Sequence, residues 1–172
     1  MPKICVLSTS PGRDSRSRKA ALYVVSQLEA LPNVEVTFID LHTTPFELYP
    51  TKLDDTQTAL VKSFQEADAW VMTGAVYNGG PSAHIINFFH FALDSDSIRV
   101  GRPFFLVGSA GGNGSLFAFD ALGARVRREV KAIEVGTAVM VTNNTEENES
   151  RLSAQLNLLL PYAEVYQSLN SK

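Results

Sequence analysis

Residues 69–93 decide the fold class of this chain. They begin with the apolar run Ala69-Trp70-Val71-Met72, continue through Thr73-Gly74-Ala75-Val76-Tyr77-Asn78-Gly79-Gly80-Pro81, and end in a helical pattern up to Leu93. An apolar run without alternation is typical of a strand that is buried on both faces of a sheet. A strand that passes through a loop into a helix is the start of a βαβ unit, which predicts a parallel sheet.

The same succession of strand and helix extends outward over the whole chain. The predicted strands are 4–7, 34–39, 69–72, 104–107 and 135–141. The predicted helices are 15–31, 54–67, 81–93, 116–130 and a last one from Thr145, which Pro161 should kink or interrupt. This alternation predicts one α/β domain over residues 1–172, with a five-stranded parallel sheet in the order 2-1-3-4-5 covered on both faces.

Composition and charge exclude several classes of protein. The 172 residues are 45% hydrophobic and 19% charged, which describes an ordinary globular domain. A net charge of −3 gives no basic surface for nucleic acid. No apolar run is long enough to cross a membrane, and the N-terminus has no signal-peptide pattern. We therefore expect a cytoplasmic protein without a membrane span.

The cysteine and the histidines indicate no metal site. Cys5 is the single cysteine and lies within an apolar strand, where we expect it to be a buried hydrophobic residue. His84 and His90 are six positions apart, so they lie on different helix faces and do not form a metal-binding pair. The sequence predicts neither a metal nor a catalytic acid, base or nucleophile.

The loop after the first strand has the composition of a phosphate-binding loop. It reads Ser8-Thr9-Ser10-Pro11-Gly12-Arg13-Asp14-Ser15-Arg16-Ser17-Arg18 and leads into a helix. Hydroxyls, backbone N–H groups and guanidinium groups converge there on a helix N-terminus. The alternative is a solvated polar turn with helix caps, because the segment matches neither the Walker loop nor the Gly-x-Gly-x-x-Gly pattern.

Two further loops leave the same predicted sheet edge, where ligands of such sheets bind. The segment 73–81 offers backbone amides and an aromatic side chain, although Asn78-Gly79 is also a common turn signal. The segment Ser109-Ala110-Gly111-Gly112-Asn113-Gly114-Ser115 has three glycines in four positions, which lets a backbone approach a flat ligand closely. Each loop alone is weak evidence, but three loops at one edge indicate a ligand site.

With these residues the chain resembles the NADPH-dependent FMN reductase family, whose members are relatives of flavodoxin. The matching segments are Ala67-Asp68-Ala69 with the following strand, Tyr77-Asn78-Gly79 with Asn87, Arg102-Pro103 with Ser109-Ala110-Gly111-Gly112, and Ser8-Thr9-Ser10-Pro11-Gly12-Arg13. The resemblance spans nearly the whole chain. The sequence departs from the family pattern at Leu7, Ser10, Ala75, Val76 and Ile86. Where Ser10 stands the family has Arg, and Arg13 or Arg16 could supply the missing charge.

The resemblance implies a flavodoxin-like three-layer sandwich with FMN as cofactor. By position, the phosphate would be held by Ser8, Ser10, Arg13, Ser15, Arg16 and Ser17. The flavin edge and ribityl chain would be lined by Val76, Tyr77, Asn78 and Gly79, and the isoalloxazine ring by Ser109, Ala110, Gly111, Gly112 and Asn113. NAD(P)H would be the co-substrate, giving hydride to flavin N5 before electrons pass to a flavin, a quinone or a similar small acceptor.

Two other functions fit the same sequence. One is a flavin-binding electron shuttle like flavodoxin, which the modest net charge disfavours. The other is a family member that keeps the fold, binds no flavin and acts in binding or regulation. The departures at Leu7, Ser10, Ala75 and Val76 favour this second alternative.

The predicted third helix indicates self-association. Its apolar residues cover more than one face of the helix: Ile85, Ile86, Phe88, Phe89, Phe91 and Ala92. A helix that packs on a sheet and faces water needs only one apolar face. The second face therefore predicts a contact in a homodimer or homotetramer.

Overall fold

The computed structural model describes residues 1–93, 97–110 and 116–170. Strands and helices alternate as predicted, which confirms the α/β class. Their bounds are β1 (Lys3–Ser8), α1 (Arg16–Glu29), β2 (Glu35–Asp40), α2 (Asp55–Glu66), β3 (Ala69–Tyr77), β4 (Gly80–Pro81), α3 (Ala83–Ala92), β5 (Pro103–Ser109), α4 (Leu116–Val130), β6 (Ile133–Glu134), β7 (Val139–Val141) and α5 (Thr145–Asn170).

The sheet confirms the predicted order but has seven strands rather than five. The order is β2-β1-β3-β5, and β6 and β7 both pair with β5 in parallel. Together they occupy the fifth position, which is divided around Gly136 with its φ of 69°. The remaining strand, β4, forms an antiparallel hairpin with the end of β3. The two extra strands thus come from one divided strand and one hairpin.

Each face of the sheet carries its own apolar core. Ile4 and Val6 of β1 point to the face that α1 and α5 cover. Cys5 and Leu7 point to the opposite face, which α2, α3 and α4 cover. All four side chains are fully buried, as expected for a parallel sheet between two helical layers.

Trp70 and Cys5 are core residues, as the sequence predicts. The Trp70 ring stacks on Phe64 with 4.4 Å between ring centroids, and its Nε1–H donates to the Phe64 carbonyl at 2.7 Å. Cys5 is fully buried, and this burial raises the pKa of its thiol well above the usual value. Arg102 opposes the shift only in part.

We expect the Cys5 thiol to be unreactive in the folded protein. Its raised pKa keeps the reactive thiolate unpopulated, and its burial excludes reagents. A colorimetric aromatic disulfide at about pH 8 should therefore release one equivalent of thiolate only after denaturant is added. Rapid stoichiometric reaction of the folded chain would contradict this placement of Cys5.

The second apolar face of α3 is covered by the chain itself. The connection between β2 and α2 lays Phe46 and Tyr49 beside Phe91, with ring centroids 6.0 Å and 5.2 Å away. Asn87 fastens this connection: its Oδ1 accepts from the Tyr49 N–H at 2.9 Å, and its Nδ2 donates to the Glu47 carbonyl at 2.8 Å. The apolar excess of α3 is thus explained without a second subunit.

The prediction was that Pro161 would kink or interrupt the last helix. An interruption does not occur, because α5 continues through Pro161. Proline removes one backbone hydrogen bond from a helix. Here, however, α5 is anchored on the sheet on both sides of Pro161 by Leu152, Leu156, Leu159, Ala163 and Tyr166. Within the described ranges, no helix is both long and apolar enough to cross a membrane.

Candidate functional site

The predicted site residues that the structure describes lie at the carboxyl edge of the sheet. Ser8 ends β1 directly opposite Thr73 of β3, and Ala75 of β3 lies opposite Ser109, which ends β5. The loop between β1 and α1 and the segments after Thr73 and Ser109 therefore meet at one edge. This is the ligand-binding edge of open parallel sheets.

The loop between β1 and α1, here called the β1 loop (residues 9–15), closes tightly over the strand end. Thr9 and Ser10 are fully buried. The Thr9 hydroxyl donates to the Thr73 carbonyl at 2.8 Å, which ties the loop to β3. The Ser10 Oγ accepts from the Gly12 N–H at 3.4 Å, and the Gly12 carbonyl accepts from the Ser15 N–H at 3.3 Å.

The β1 loop delivers the N-terminus of α1 to this edge. Ser15 is the N-cap, and its Oγ accepts from the Arg18 N–H at 3.1 Å. Arg16 and Ser17 open the helix, so their N–H groups have no acceptor within it. Together with the helix dipole, such N–H groups attract an anion. The Ser15 Oγ also lies 3.4 Å from the Ser17 Oγ, and either hydroxyl can be the donor in this contact.

Two side chains contact backbone carbonyls of the β1 loop. The Arg18 Nη1 donates to the Arg13 carbonyl at 3.2 Å, and His42 Nδ1 lies 2.8 Å from the Pro11 carbonyl. Because a trans peptide directs its C=O and N–H groups to opposite sides, the Asp14 N–H points away from Arg18.

An ion pair between Arg18 and Asp40 fixes the Arg18 side chain in its contact with the β1 loop. The Arg18 Nε and Nη2 lie 2.8 Å and 2.7 Å from Asp40 Oδ2, and the two side chains are only 17% and 5% exposed. Asp40 Oδ1 also accepts from the His42 N–H at 3.2 Å. The sequence analysis missed Arg18, Asp40 and His42 as part of the site. The available signal was Asp40 itself, a carboxylate at the end of an apolar strand.

Arg16 connects the β1 loop to two other strand ends. Its Nη2 donates to the Ala110 carbonyl at 3.0 Å, and its Nη1 donates to Asn143 Oδ1 at 3.2 Å. Asn143, which follows β7, was also missed by the sequence analysis. The predicted ring-binding residues Gly111, Gly112 and Asn113 lie outside the described residues.

Arg13 is the guanidinium that stays available. It lies in the exposed part of the β1 loop. Within residues 1–93, 97–110 and 116–170, its side chain makes neither a hydrogen bond nor an ion pair. Its charge is therefore free to meet a ligand.

The segment predicted as a loop after the third strand is largely strand, so that boundary is wrong. β3 runs on to Tyr77 because it stays paired with β5 up to Ala75 and then pairs with β4 through Val76 and Tyr77. Asn78 and Gly79, with φ of 50° and 77°, then form the two-residue turn into β4. Tyr77 is 54% exposed at the tip of this β3–β4 hairpin, while Val76 packs partly on the core.

Two buried hydroxyls at the same edge have no hydrogen-bond partner among the residues that the structure describes. They are Ser8 Oγ and Thr73 Oγ1, neighbours on the face of the sheet that α1 covers. Buried hydroxyls are nearly always paired, so this pair indicates a place for a polar ligand group. Ser17 of α1, also fully buried, lies over the same face of the sheet.

A separate cavity of about 290 Å³ lies between α1 and α5. Arg16, Lys19, Tyr23, Asn143 and Glu149 contribute to its lining. Of the residues predicted to bind the cofactor, only Arg16 is among the described residues that line this cavity, and no residue of the β3–β4 hairpin is. The cavity is therefore not the predicted cofactor site. Among the residues described, no cluster of His, Cys, Asp or Glu could hold a metal ion.

A parallel sheet in this order, with polar loops gathered at its carboxyl edge, defines a flavodoxin-like protein. The sequence profile of the NADPH-dependent FMN reductase family matches residues 2–146. The chain belongs to this family, as the resemblance implied.

Solved structures of similar fold agree with this assignment. The apo form of the NADH:FMN oxidoreductase EmoB is 17% identical, with a TM-score of 0.75 over 97% of this chain and 89% of that one. An oxidoreductase from Corynebacterium diphtheriae is 18% identical, with a TM-score of 0.78 over 95% and 97%. An archaeal flavodoxin is 15% identical, with a TM-score of 0.65 over 93% and 98%. The TM-scores and coverages establish a shared fold. No curated protein matches the sequence.

Proposed function

We propose that this chain binds FMN at the carboxyl edge of its sheet and oxidises NAD(P)H, passing the electrons to a flavin, a quinone or a similar small acceptor. The observation that carries the proposal is the β1 loop with the N-terminus of α1, which together offer N–H groups and hydroxyls to an anion in a chain of the FMN reductase family. The similar fold of an NADH:FMN oxidoreductase supports it.

The residues at this edge fit the phosphate of FMN. The phosphate would accept from the N–H groups of Arg16 and Ser17 and from nearby hydroxyls. These hydroxyls would be the unpartnered one of Ser8 and the buried ones of Ser10 and Ser17. Because the Arg16 guanidinium already binds Ala110 and Asn143, Arg13 is the better candidate for the charge that Ser10 does not supply.

The β3–β4 hairpin and the end of β5 would hold the rest of the cofactor. Val76 to Gly79 would border the ribityl chain and the flavin edge, with the exposed Tyr77 ring beside the flavin. Ser109 and Ala110, with Gly111 to Asn113 beyond them, would line the isoalloxazine ring. When bound, FMN supplies the hydride and electron transfer, while the chain binds and orients it.

An NAD(P)H oxidation assay tests the proposed reaction. The FMN-loaded protein should oxidise NADH or NADPH faster than free FMN at the same concentration when a quinone or excess flavin is supplied. An electron shuttle would bind FMN but would accept electrons only from a separate reductase. Binding of FMN without any NAD(P)H oxidation would therefore overturn the enzymatic proposal and favour the shuttle.

A further inference from the structure

The cavity between α1 and α5 opens at the carboxyl edge of the sheet, where both helices begin. The α1 residues that line it are Arg16, Lys19, Ala20 and Tyr23. The α5 residues that line it are Thr145, Asn148, Glu149 and Leu152. Both sets have the spacing i, i+3, i+4 and i+7, which places each set on one side of its helix. The cavity therefore lies between the facing sides of the two helices.

Facing sides of neighbouring helices are normally apolar, because each helix buries its apolar stripe against the other. Further along the same pair this holds, since Leu28 of α1 and Leu156 of α5 are buried in one core. At the carboxyl edge, only Ala20 and Leu152 of the lining helix residues are buried. The helices enclose a space of about 290 Å³ there. A polar lining around such a space indicates a place for a ligand.

Two opposite charges in the cavity have no partner in the protein. Lys19 and Glu149 both contribute to the lining. Within the described part of the chain, neither side chain makes a hydrogen bond or an ion pair, and the two do not pair with each other. The ammonium group of Lys19 is therefore available to an anion. The carboxylate of Glu149 is available to a hydroxyl or amino donor.

The Lys19 side of the cavity is suited to a phosphate. Arg16 and Thr145 are the first residues of α1 and α5, so the positive ends of two helix dipoles point toward the cavity. The Arg16 guanidinium adds a second positive charge beside Lys19. Glu149 is the one carboxylate among the described lining residues. Together these groups favour an anion near Lys19.

The rest of the cavity is suited to a nucleoside. Tyr23 and Leu152 belong to the apolar core that α1 and α5 share, and they offer apolar surface to a flat base. Glu149 can accept from sugar hydroxyls, as an acidic residue does in dinucleotide-binding proteins. The volume of about 290 Å³ is at the small end of ligand sites, which are roughly 300–1,000 Å³. It suits a nucleoside monophosphate or one half of a dinucleotide.

We propose that the cavity between α1 and α5 binds a nucleoside phosphate, with the phosphate at Lys19, the sugar at Glu149 and the base against Tyr23 and Leu152. Two sources share this chemistry: a free nucleotide, and the adenylate end of NAD(P)H. Arg16 joins the cavity to the proposed flavin site, because its Nη2 donates to the Ala110 carbonyl at 3.0 Å. The second source rests on the proposed function, whereas the site itself does not.

Isothermal titration with adenosine 5′-monophosphate (AMP), adenosine and inorganic phosphate tests the site. The protein is first saturated with FMN, so that AMP cannot enter the cofactor site. AMP should bind with a dissociation constant below about 1 mM, and adenosine and phosphate should each bind at least about tenfold more weakly. The titration is repeated without FMN. A chain that fails to bind FMN thus still reports on the cavity.

Lys19→Glu should weaken AMP binding at least about tenfold and leave adenosine binding unchanged, because adenosine has no phosphate. Lys52→Glu is the matched control: it makes the same charge reversal at an exposed residue outside the cavity. Arg13→Glu separates the cavity from the cofactor site, since Arg13 does not line the cavity. Both controls should leave AMP binding unchanged. Circular dichroism checks that each variant keeps the native helix content.

Absence of AMP binding at about 1 mM would overturn the proposal. So would AMP binding that Lys19→Glu leaves unchanged, or that Arg13→Glu weakens equally. Phosphate binding as tight as that of AMP would overturn the assignment of a nucleoside.

Steady-state kinetics distinguish the two sources of the ligand. If the cavity takes the adenylate end of NAD(P)H, AMP should raise the KM for NAD(P)H and leave kcat unchanged. If it takes a free nucleotide, AMP should bind without raising this KM. Both results support the cavity as a nucleoside phosphate site. A chain that binds AMP but oxidises no NAD(P)H would contradict the proposed function and leave the cavity site intact.

Discussion

Arg13→Glu is expected to weaken FMN binding by about tenfold to hundredfold and to leave riboflavin binding unchanged. Arg13 lies in the exposed part of the β1 loop, and its guanidinium is free to pair with the phosphate. Hydrogen bonds to charged groups contribute about 1.5–3 kcal/mol, and the reversed charge adds repulsion. Riboflavin has no phosphate, so the difference between the two ligands isolates the phosphate contact. Titration of flavin fluorescence measures both affinities.

Arg128→Glu is the control for the change in net charge. Arg128 lies in the last turn of α4, and its side chain is 86% exposed. This variant should bind FMN as the unmodified protein does. Equal losses for FMN and riboflavin in Arg13→Glu would show that Arg13 acts on another part of the cofactor. No loss for either ligand would remove Arg13 from the site.

Asp40→Asn is expected to lower the free energy of unfolding by about 2–4 kcal/mol. The Arg18 side chain is only 17% exposed, and the substitution removes the carboxylate that neutralises its charge. A buried charge without a partner lowers the stability of the folded state. For a chain of this length, the melting temperature should fall by roughly 5–15 °C. FMN affinity should fall as well, since Arg18 would no longer be fixed against the Arg13 carbonyl. Chemical denaturation and flavin titration measure the two effects.

Glu66→Gln is the matched control for this substitution. It removes the ion pair between Glu66 and Lys62, whose side chains are 57% and 72% exposed. An exposed pair of this kind contributes less than about 1 kcal/mol, so stability should hardly change. Equal effects of Asp40→Asn and Glu66→Gln would contradict the role assigned to the buried pair.

The fold could be predicted from the sequence because its strands are short, apolar and separated by helices. The ends of the strands and helices could not be predicted from the sequence. The sequence predicts β3 only to Met72, since Thr73 and Gly74 look like the start of a loop. Pairing with β5 extends the strand to Ala75, and pairing with β4 extends it to Tyr77. Likewise, Pro161 looks like a helix break, and packing on the sheet keeps α5 continuous. In both places tertiary contacts outweigh local preference.

The candidate site could be predicted as three segments but not as a connected structure. The Ser- and Arg-rich composition of the β1 loop indicated an anion site. No pattern indicated that Arg18 would bind Asp40 across 22 positions, or that Arg16 would reach Asn143 across 127. Such pairs form only when the fold brings distant strand ends together. For the same reason, the sequence did not predict that Phe46 and Tyr49 cover the second apolar face of α3.

The visible absorption spectrum after FMN is added and the protein is desalted tests the central claim most directly. The account predicts that flavin absorbance stays with the protein, at about one FMN per chain, and that its fluorescence changes on binding. A colourless protein that causes no change in FMN fluorescence at about 100 µM would contradict FMN binding at the carboxyl edge of the sheet.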